Sequence, residues 1–273
     1  MPELPEVETA RALIAGHALD RRIVDVDDTD TYVCRPHAPG EIRAALLGRT
    51  LTAAHRRGKT MWCATSGRRG GHRPGPDLGL HLGMAGRLLV TGPGGDGEVH
   101  GGGPTRWHPR GLKPEWDRFT LRFADGGALR LFDTRRLSRV RLDPDVAALG
   151  PDGLAITLAE FRERVGRGTA PVKARLLDQT VVAGVGNLLA DQLLWEARVS
   201  PRHRCDDLSR EQLTALHRAL RHALRTATEL GGVHTGDFIE HRRAGGHCPR
   251  CGTEVVHATV GGRSTWWCPR EQI

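Results

Sequence analysis

The chain has 273 residues, enough for about two domains with separate hydrophobic cores. Its 40 Lys+Arg against 32 Asp+Glu give a formal net charge of +8 and a pI near 9.8, which indicates either a polyanionic partner or an ordinary solvated basic surface. No apolar run approaches the roughly 18 residues of a transmembrane helix, and the acidic N-terminus lacks the pattern of a secretory signal. The sequence therefore excludes a membrane span and predicts a cytoplasmic protein.

The first half of the chain is predicted to be rich in β-strands. Apolar residues at helical spacing over 5–19 predict an opening helix. Over 23–140, short apolar runs alternate with Gly, Pro and Asp, a pattern typical of a β-sandwich or barrel. Two stretches rich in Gly and Pro, 67–79 and 91–114, are expected to be loops. We assign this N-terminal domain to 1–142.

The second half is predicted to be helical and to end in a small finger. After a linker at 143–152, apolar residues recur at helical spacing in four segments. These segments are 158–165, 172–179, 187–197 and 209–230. The helical domain is assigned to 153–232, and the turn-rich remainder, 233–273, contains three of the six cysteines. The predicted fold class is therefore α+β with several domains.

The N-terminal segment MPELPEVET contains a candidate nucleophile. Removal of the initiator Met before the small residue Pro2 would expose a secondary amine beside Glu3 and Glu6. An α-amino group has a pKa near 8, below that of lysine, so more of it is neutral and nucleophilic at neutral pH. Attack of this amine on a sugar C1′ would give an iminium ion, which is already a charged electron sink. The alternative is structural, because Pro2 and Pro5 also suit the start of a helix.

Six segments resemble, in the same order, the formamidopyrimidine-DNA glycosylase and endonuclease VIII family of base-excision repair enzymes. They are MPELPEVET at 1–9, RRGK at 56–59, HLGM at 81–84, DTRRL at 133–137, LLDQTVVAGVGNLLAD at 176–191 and VGGRSTWWCP at 260–269. The resemblance covers nearly the whole chain. It implies a helix plus β-sandwich domain, a helix–two-turns–helix domain and a zinc-ribbon-like hairpin finger. It also implies a monomeric DNA glycosylase/AP lyase that binds damaged double-stranded DNA between its domains.

The resemblance assigns the catalytic residues. Pro2 is the expected Schiff-base nucleophile, and Glu3 the acid/base, for which burial near apolar groups would raise the pKa. Glu6 either orders this site or is a first-turn acid that stabilises its helix. Lys59, in a predicted hairpin turn, corresponds to the family lysine that contacts phosphate in the active site; the alternative is an ordinary turn lysine.

Three further residues resemble those that replace the flipped nucleotide. Met84 is expected to fill the gap left in the duplex, and Arg135 to face the estranged partner base. Where the family usually has Pro-Arg-Arg-Phe, this chain has Thr-Arg-Arg-Leu at 134–137, so Leu137 replaces the aromatic wedge. The span 231–247 is shorter than in typical formamidopyrimidine enzymes, as on the endonuclease VIII side of the family. The opposite-base preference and the choice between oxidised purines and pyrimidines therefore stay open.

Other residues are expected to bind the phosphate backbone. Asn187 follows a Gly-rich turn whose backbone can approach a phosphate closely, although an N-cap role is compatible with the same position. Arg263, in the turn of the predicted hairpin, resembles the arginine that grips phosphate beside the lesion. Lys173 opens the helix–two-turns–helix element and is expected either to face phosphate or to be a solvated helix lysine.

The finger departs from the family pattern at one position. Three cysteines have the spacing of a zinc ribbon: Cys248, Cys251 and Cys268. The expected fourth cysteine is Glu271, which could bind zinc through oxygen, and His247 or His257 are alternatives. The alternative is a finger that folds without metal, as in some relatives. We predict one zinc ion per chain, since buried thiols gain nothing from this spacing otherwise.

A second hypothesis is a paralogue that recognises lesions or structured DNA without efficient catalysis. Three departures from the family pattern favour it: Leu137, Glu271 and Gln192, where the family usually has an acid. The intact pair Pro2 and Glu3 favours catalysis.

Overall fold

The computed structural model describes residues 2–67, 73–103 and 112–273. These divide into two compact units. The first contains Pro2 and Glu6–Val146, and the second contains Glu3–Pro5 and Ala147–Ile273. The N-terminal helix α1 (Leu4–His17) therefore begins with residues that group with the second unit.

The first unit contains two antiparallel sheets and a short helix α2 (Glu41–Leu46). The five-stranded sheet has the order β1 (Ile23–Asp27), β7 (Asp117–Phe123), β8 (Ala128–Phe132), β5 (Arg87–Thr91) and β6 (Glu98–Gly101). The four-stranded sheet has the order β2 (Leu51–Arg57), β3 (Thr60–Thr65), β4 (Leu78–His81) and β9 (Arg139–Leu142). Met61 and Leu80 of the second sheet share one buried core with Leu88 and Leu121 of the first and with Ile14 of α1. This shared core confirms the predicted helix plus β-sandwich.

One predicted loop contains a strand. β6 lies inside 91–114, which the sequence analysis assigned to a loop, and it pairs with β5 at the edge of the sheet. Its last residue, Gly101, packs so closely on α1 that a Cβ there would lie 3.0 Å from the Cα of Ala10. The glycine that suggested a loop is therefore what lets the strand approach the helix. The parts of the two predicted loops at 68–72 and 104–111 lie outside the described residues.

The second unit contains four α-helices and a hairpin. The helices are α3 (Leu158–Val165), α4 (Val172–Leu177), α5 (Asn187–Glu196) and α6 (Arg210–Glu229), and the hairpin is β10 (Val256–Val260) with β11 (Arg263–Trp267). The helices match the predicted segments, although α4 ends two residues earlier. The apolar stripe of α6, including Leu213, Leu216 and Leu220, is buried in one core with α5 and the other helices. Within the described ranges, no helix is long and apolar enough to cross a membrane.

Candidate active site

The Glu3 carboxylate is fixed at the N-terminus of α5. Its Oε2 accepts hydrogen bonds from the backbone N–H groups of Gly186 (2.9 Å) and Leu189 (3.1 Å), and its Oε1 accepts one from Leu188 (2.9 Å). The side chain is completely buried. Backbone donors at a helix N-terminus stabilise an ionised carboxylate. The site thus holds Glu3 in one orientation, immediately after Pro2.

Gly186 is required for this arrangement. A Cβ at that position would lie 2.3 Å from the carboxyl carbon of Glu3. The Gly-rich turn that the sequence analysis associated with phosphate therefore also admits a protein carboxylate. Asn187 is the first residue of α5, and Gly186 occupies the N-cap position, so the alternative N-cap role of Asn187 was wrong.

Pro2 and Glu6, which lie before and after Glu3 in the sequence, are both buried. Because Pro2 directly precedes Glu3, the amine that removal of the initiator Met would expose lies one residue from a fixed carboxylate. Glu6 is 5% exposed and lies in the first turn of α1. Its position fits both roles considered for it.

Lys59 lies in the turn between β2 and β3, within a basic region of the first unit. Burial lowers the pKa of the nearby His81, and the positive charges of Lys59, Arg139 and Arg141 lower it further. A cavity of about 330 Å³ is lined by His81, both arginines and Thr60, and also by one acid, Asp145. Such a concentration of cationic groups suits phosphate binding. His81 belongs to the HLGM segment but was not singled out from the sequence.

Met84 and Leu137 lie on two loops that contact each other. Gly83 adopts a left-handed conformation (φ +60°), and a Cβ there would lie 2.3 Å from the carbonyl oxygen of Leu137. The Gly83 N–H donates to Nδ1 of His81 at 3.1 Å, which holds the turn. Met84 is 41% exposed. The structure therefore brings together the two loops that carry the apolar residues predicted to enter the duplex.

Asp133 organises the loop that carries Arg135 and Leu137. Its fully buried carboxylate accepts hydrogen bonds from the backbone N–H groups of Arg135, Leu137 and Ser138, each at 2.8 Å. The side chain of Arg135 is exposed, whereas Arg136 pairs with Asp30 at 2.7 Å. Sequence reasoning missed Asp133, although an Asp at the start of a turn is a known signal for such hydrogen bonds.

Lys173 does not face solvent or phosphate, contrary to both expectations. Its ammonium is fully buried, 2.6 Å from Asp191, and donates to Oγ1 of Thr265 (2.7 Å) and to the carbonyl of Ser264 (3.2 Å). Burial lowers the pKa of Lys173, and Asp191 opposes that shift. Its donors are thus used to attach α4 and α5 to β11.

The Ser264 carbonyl connects Asn187 and Lys173, two of the three residues of the second unit that were predicted to bind phosphate. It accepts a hydrogen bond from Nδ2 of Asn187 at 3.0 Å as well as the one from Lys173. Arg263, the preceding residue, is exposed at the start of β11. Asn187 therefore helps to fix the hairpin that presents the Arg263 side chain.

The three predicted cysteine ligands form one cluster. The Sγ atoms of Cys248, Cys251 and Cys268 all lie within 4.8 Å of one another. The Trp195 indole N–H donates to Sγ of Cys248 at 3.3 Å, and the Glu271 backbone N–H donates to Sγ of Cys268 at 3.4 Å. Such donors stabilise thiolates, and a compact set of three sulfurs matches the ligand chemistry of zinc.

Glu271 is not part of this cluster. Its Oε2 lies 3.4 Å from Nε of Arg198, and the group of candidate ligands within the described residues contains only the three cysteines. The expectation of Glu271 as a fourth ligand is therefore not met in the structure.

Family models match three consecutive parts of the chain. The formamidopyrimidine-DNA glycosylase N-terminal domain matches residues 1–140, the H2TH domain of the same enzymes matches 149–238, and a zinc finger found in FPG and IleRS matches 245–270. The chain belongs to the formamidopyrimidine-DNA glycosylase family. The resemblance stated from the six segments is thereby confirmed.

Relatives align along the whole length of this family member. The formamidopyrimidine-DNA glycosylase of Chloroflexus aurantiacus is 34% identical over 100% of the chain and 98% of its own length. That of Acidothermus cellulolyticus is 35% identical over 98% of the chain and 96% of its own length. Among solved structures, Lactococcus lactis Fpg in complex with DNA containing an abasic site has a TM-score of 0.78 at 26% identity, covering 99% of both chains. The same enzyme with DNA containing an oxidised pyrimidine has a TM-score of 0.80 at 26% identity, again over 99% of both chains.

Proposed function

We propose that this chain is a bifunctional DNA glycosylase/AP lyase that removes oxidised bases from duplex DNA and then cleaves the strand. Membership of the formamidopyrimidine-DNA glycosylase family supports a DNA glycosylase for damaged bases. The observation that carries the finer proposal is the buried Glu3 carboxylate, held by three backbone donors directly beside Pro2.

The chemistry follows from an amine next to a fixed carboxylate. The Pro2 nitrogen forms a bond to C1′ as the glycosidic bond to the damaged base breaks, and the base leaves with a proton. Opening of the sugar ring breaks the C1′–O4′ bond, O4′ takes up a proton from Glu3, the expected acid/base, or from the solvent, and the product is an iminium ion whose positive charge the Glu3 carboxylate is placed to stabilise. Loss of a C2′ proton breaks the C3′–O bond, and a second elimination breaks the C5′–O bond. Addition of water to the iminium carbon then breaks the C–N bond, releases the sugar remnant as an aldehyde with a proton, and restores Pro2.

The proposed partner is damaged double-stranded DNA. Solved relatives contain DNA with an abasic site, an oxidised pyrimidine or a carbocyclic 8-oxo-G, so both classes of lesion are candidate substrates. In this chain we assign the phosphate contacts to Lys59, Asn187 and Arg263, and we add His81 as a further candidate because it lies among the same cationic groups. Met84, Arg135 and Leu137 would occupy the space vacated by the flipped nucleotide.

We further propose that the finger binds one zinc ion through Cys248, Cys251 and Cys268. The three clustered sulfurs and the N–H groups directed at them fit this ion. When bound, zinc would act structurally, by joining the Cys248 turn to the C-terminal turn at Cys268. The hairpin that presents Arg263 lies between these two turns.

Borohydride trapping on a duplex with one abasic site tests the mechanism. The wild-type protein should form a covalent adduct, whereas Pro2→Gln, in which the initiator Met is retained before a large residue so that position 2 has no free amine, should form none while still shifting the same duplex in a gel. Glu3→Gln should lower the rate of base excision by a factor of about 10² to 10⁴. The matched control is Glu8→Gln, since Glu8 lies in the same helix but pairs with Arg11 and Arg56.

The same experiment distinguishes the binding-only alternative. That alternative rests partly on Gln192, which in the structure accepts a hydrogen bond from the Phe238 N–H (2.9 Å) and donates to Glu196 (2.8 Å). Gln192 therefore has a structural role that does not depend on catalysis. A wild-type protein that shifts lesion DNA without nicking it or forming an adduct would establish the alternative and refute the proposed lyase.

A further inference from the structure

The thiol cluster of the finger offers three ligands, whereas structural zinc sites usually have four protein ligands. The side chains that follow Cys268 are the obvious source of a fourth. Glu271 has its backbone at the right place, because its N–H donates to Sγ of Cys268 at 3.4 Å. Its carboxylate does not join the cluster: Oε2 is buried without a hydrogen-bond partner among the described residues and lies 3.4 Å from Nε of the largely exposed Arg198.

Gln272, by contrast, is engaged elsewhere. Its Oε1 accepts the backbone N–H of Cys268 at 2.9 Å, and its Nε2 donates to the carbonyl of Val199 at 3.1 Å. Gln272 is 3% exposed. Both polar atoms of this buried amide are therefore committed to the backbone.

The two histidines considered from the sequence do not supply the ligand either. Nε2 of His257 lies 2.9 Å from Oγ of Ser264, and its ring packs on Trp266 with centroids 4.4 Å apart. His247 is exposed and, like every other histidine or carboxylate in the described ranges, does not join the cysteine cluster.

We infer that the finger holds zinc through three cysteine thiolates and that its fourth coordination position is open to an exogenous donor. This inference rests on the proposed zinc site and specifies its ligands. Such a donor would be a small thiol or an imidazole, because zinc accepts sulfur and nitrogen ligands, and a thiol would give its proton to the solvent on binding.

The contacts on the sulfurs explain how three ligands can suffice. Trp195 donates to Cys248, the Glu271 N–H donates to Cys268, and the Thr253 hydroxyl lies 3.3 Å from Sγ of Cys251. The sulfurs of Cys248 and Cys268 thus accept N–H hydrogen bonds, which stabilise a thiolate, whereas the Cys251 thiol donates to the Thr253 hydroxyl. An open position nevertheless makes the ion easier to remove than in a site closed by four cysteines.

Cobalt substitution of the full-length protein tests the inference, because the spectrum of Co²⁺ reports its ligands directly. The wild type, Glu271→Cys and Glu271→Ala are compared. Glu271→Ala should have the same spectrum and affinity as the wild type. In Glu271→Cys the sulfur-to-metal absorption per cobalt should rise in a ratio of about four to three, as the ligand count requires. Zinc release to a chelator should be slower in this variant by about tenfold or more.

Titration with imidazole and with 2-mercaptoethanol gives the decisive readout. Both should change the cobalt spectrum of the wild type and of Glu271→Ala, and neither should change that of Glu271→Cys. A changed spectrum or weaker binding in Glu271→Ala would mean that Glu271 is a ligand, which overturns the inference while leaving the zinc site intact. If only Glu271→Cys binds metal, the proposed zinc site itself fails. Neither result bears on trapping at Pro2, which is measured separately.

Discussion

The Lys173 ammonium lies 2.6 Å from the Asp191 carboxylate, and neither side chain is exposed. A second cation, Arg242, approaches the same carboxylate at 2.8 Å, and the backbone N–H of Trp266 donates to it at 3.2 Å. One buried acid thus compensates two cations and holds β11. Because β11 begins with Arg263, the proposed phosphate ligand depends on this buried group.

Removing Asp191 should therefore cost more stability than removing Lys173. Asp191→Leu leaves two buried cations without their counter-charge, and we expect it to lower the free energy of unfolding by about 3–5 kcal/mol. Lys173→Met leaves the Arg242 pair in place and relieves the burial of an ammonium, so its cost should be smaller. Urea unfolding at pH 7 measures both.

The control for this comparison is an exposed ion pair. Arg167 and Glu163 lie 3.0 Å apart with side chains 69% and 61% exposed. Arg167→Met should cost less than about 1 kcal/mol. Equal losses in Asp191→Leu and Arg167→Met would contradict the proposed importance of the buried group.

Asp133→Asn should loosen the loop that carries Arg135, while every side chain that is proposed to contact DNA stays unchanged. The carboxylate accepts three backbone N–H groups, and an amide NH2 must face at least one of these donors. We expect a loss of about 1–3 kcal/mol in stability. Discrimination between opposite bases, measured as the ratio of excision rates on duplexes that differ only at that base, should also decrease. Asp125→Asn is the control, since Asp125 pairs with Arg21 outside this loop. An unchanged ratio would exclude Asp133 as a positioning residue.

The sequence predicted best where the controlling contacts are local. Strand and helix positions followed from spacing, and the cysteine cluster followed from the ligand spacing. The environment of Lys173 could not be predicted, because its partner Thr265 is 92 positions away in the chain and α4 is only six residues long. The backbone donors for Glu3 are more than 180 positions away. Asp133, by contrast, bonds to residues two to five positions later and was recognisable from its place in the turn.

Acidification should destabilise the first unit through His81. Burial and the nearby charges of Lys59, Arg139 and Arg141 lower the pKa of this ring. In the unfolded chain a histidine takes up a proton near pH 6.5, whereas folded His81 stays neutral and its Nδ1 still accepts the Gly83 N–H. The unfolded state thus binds more protons, so the free energy of unfolding falls as the pH drops below about 6.5, down to the lowered folded pKa.

His81→Asn should flatten this dependence. The Asn oxygen can accept the Gly83 N–H in place of Nδ1 but takes up no proton. Between pH 8 and 5, the free energy of unfolding of the variant should decline less steeply than that of the wild type. The difference in slope should be at most about 1.4 kcal/mol per pH unit. The exposed His17, replaced by Asn, provides the control, and a wild-type slope equal to that of His81→Asn would exclude His81 as the titrating group.

Met84→Ala should separate base flipping from strand cleavage. Met84 is 41% exposed, so its truncation should change the free energy of unfolding by no more than about 0.5 kcal/mol. Unstacking a nucleotide costs a few kcal/mol, part of which an inserted apolar side chain recovers. Single-turnover excision from a lesion duplex should therefore slow by about tenfold, equivalent to about 1.4 kcal/mol. Cleavage of a single-stranded abasic oligonucleotide, which has no stacked base pair to open, should keep its rate. The control is Val24→Ala, since Val24 is also 41% exposed, and it should change neither rate. If Met84→Ala lowers the rates on both substrates equally, Met84 acts in the chemical step or in general DNA binding instead.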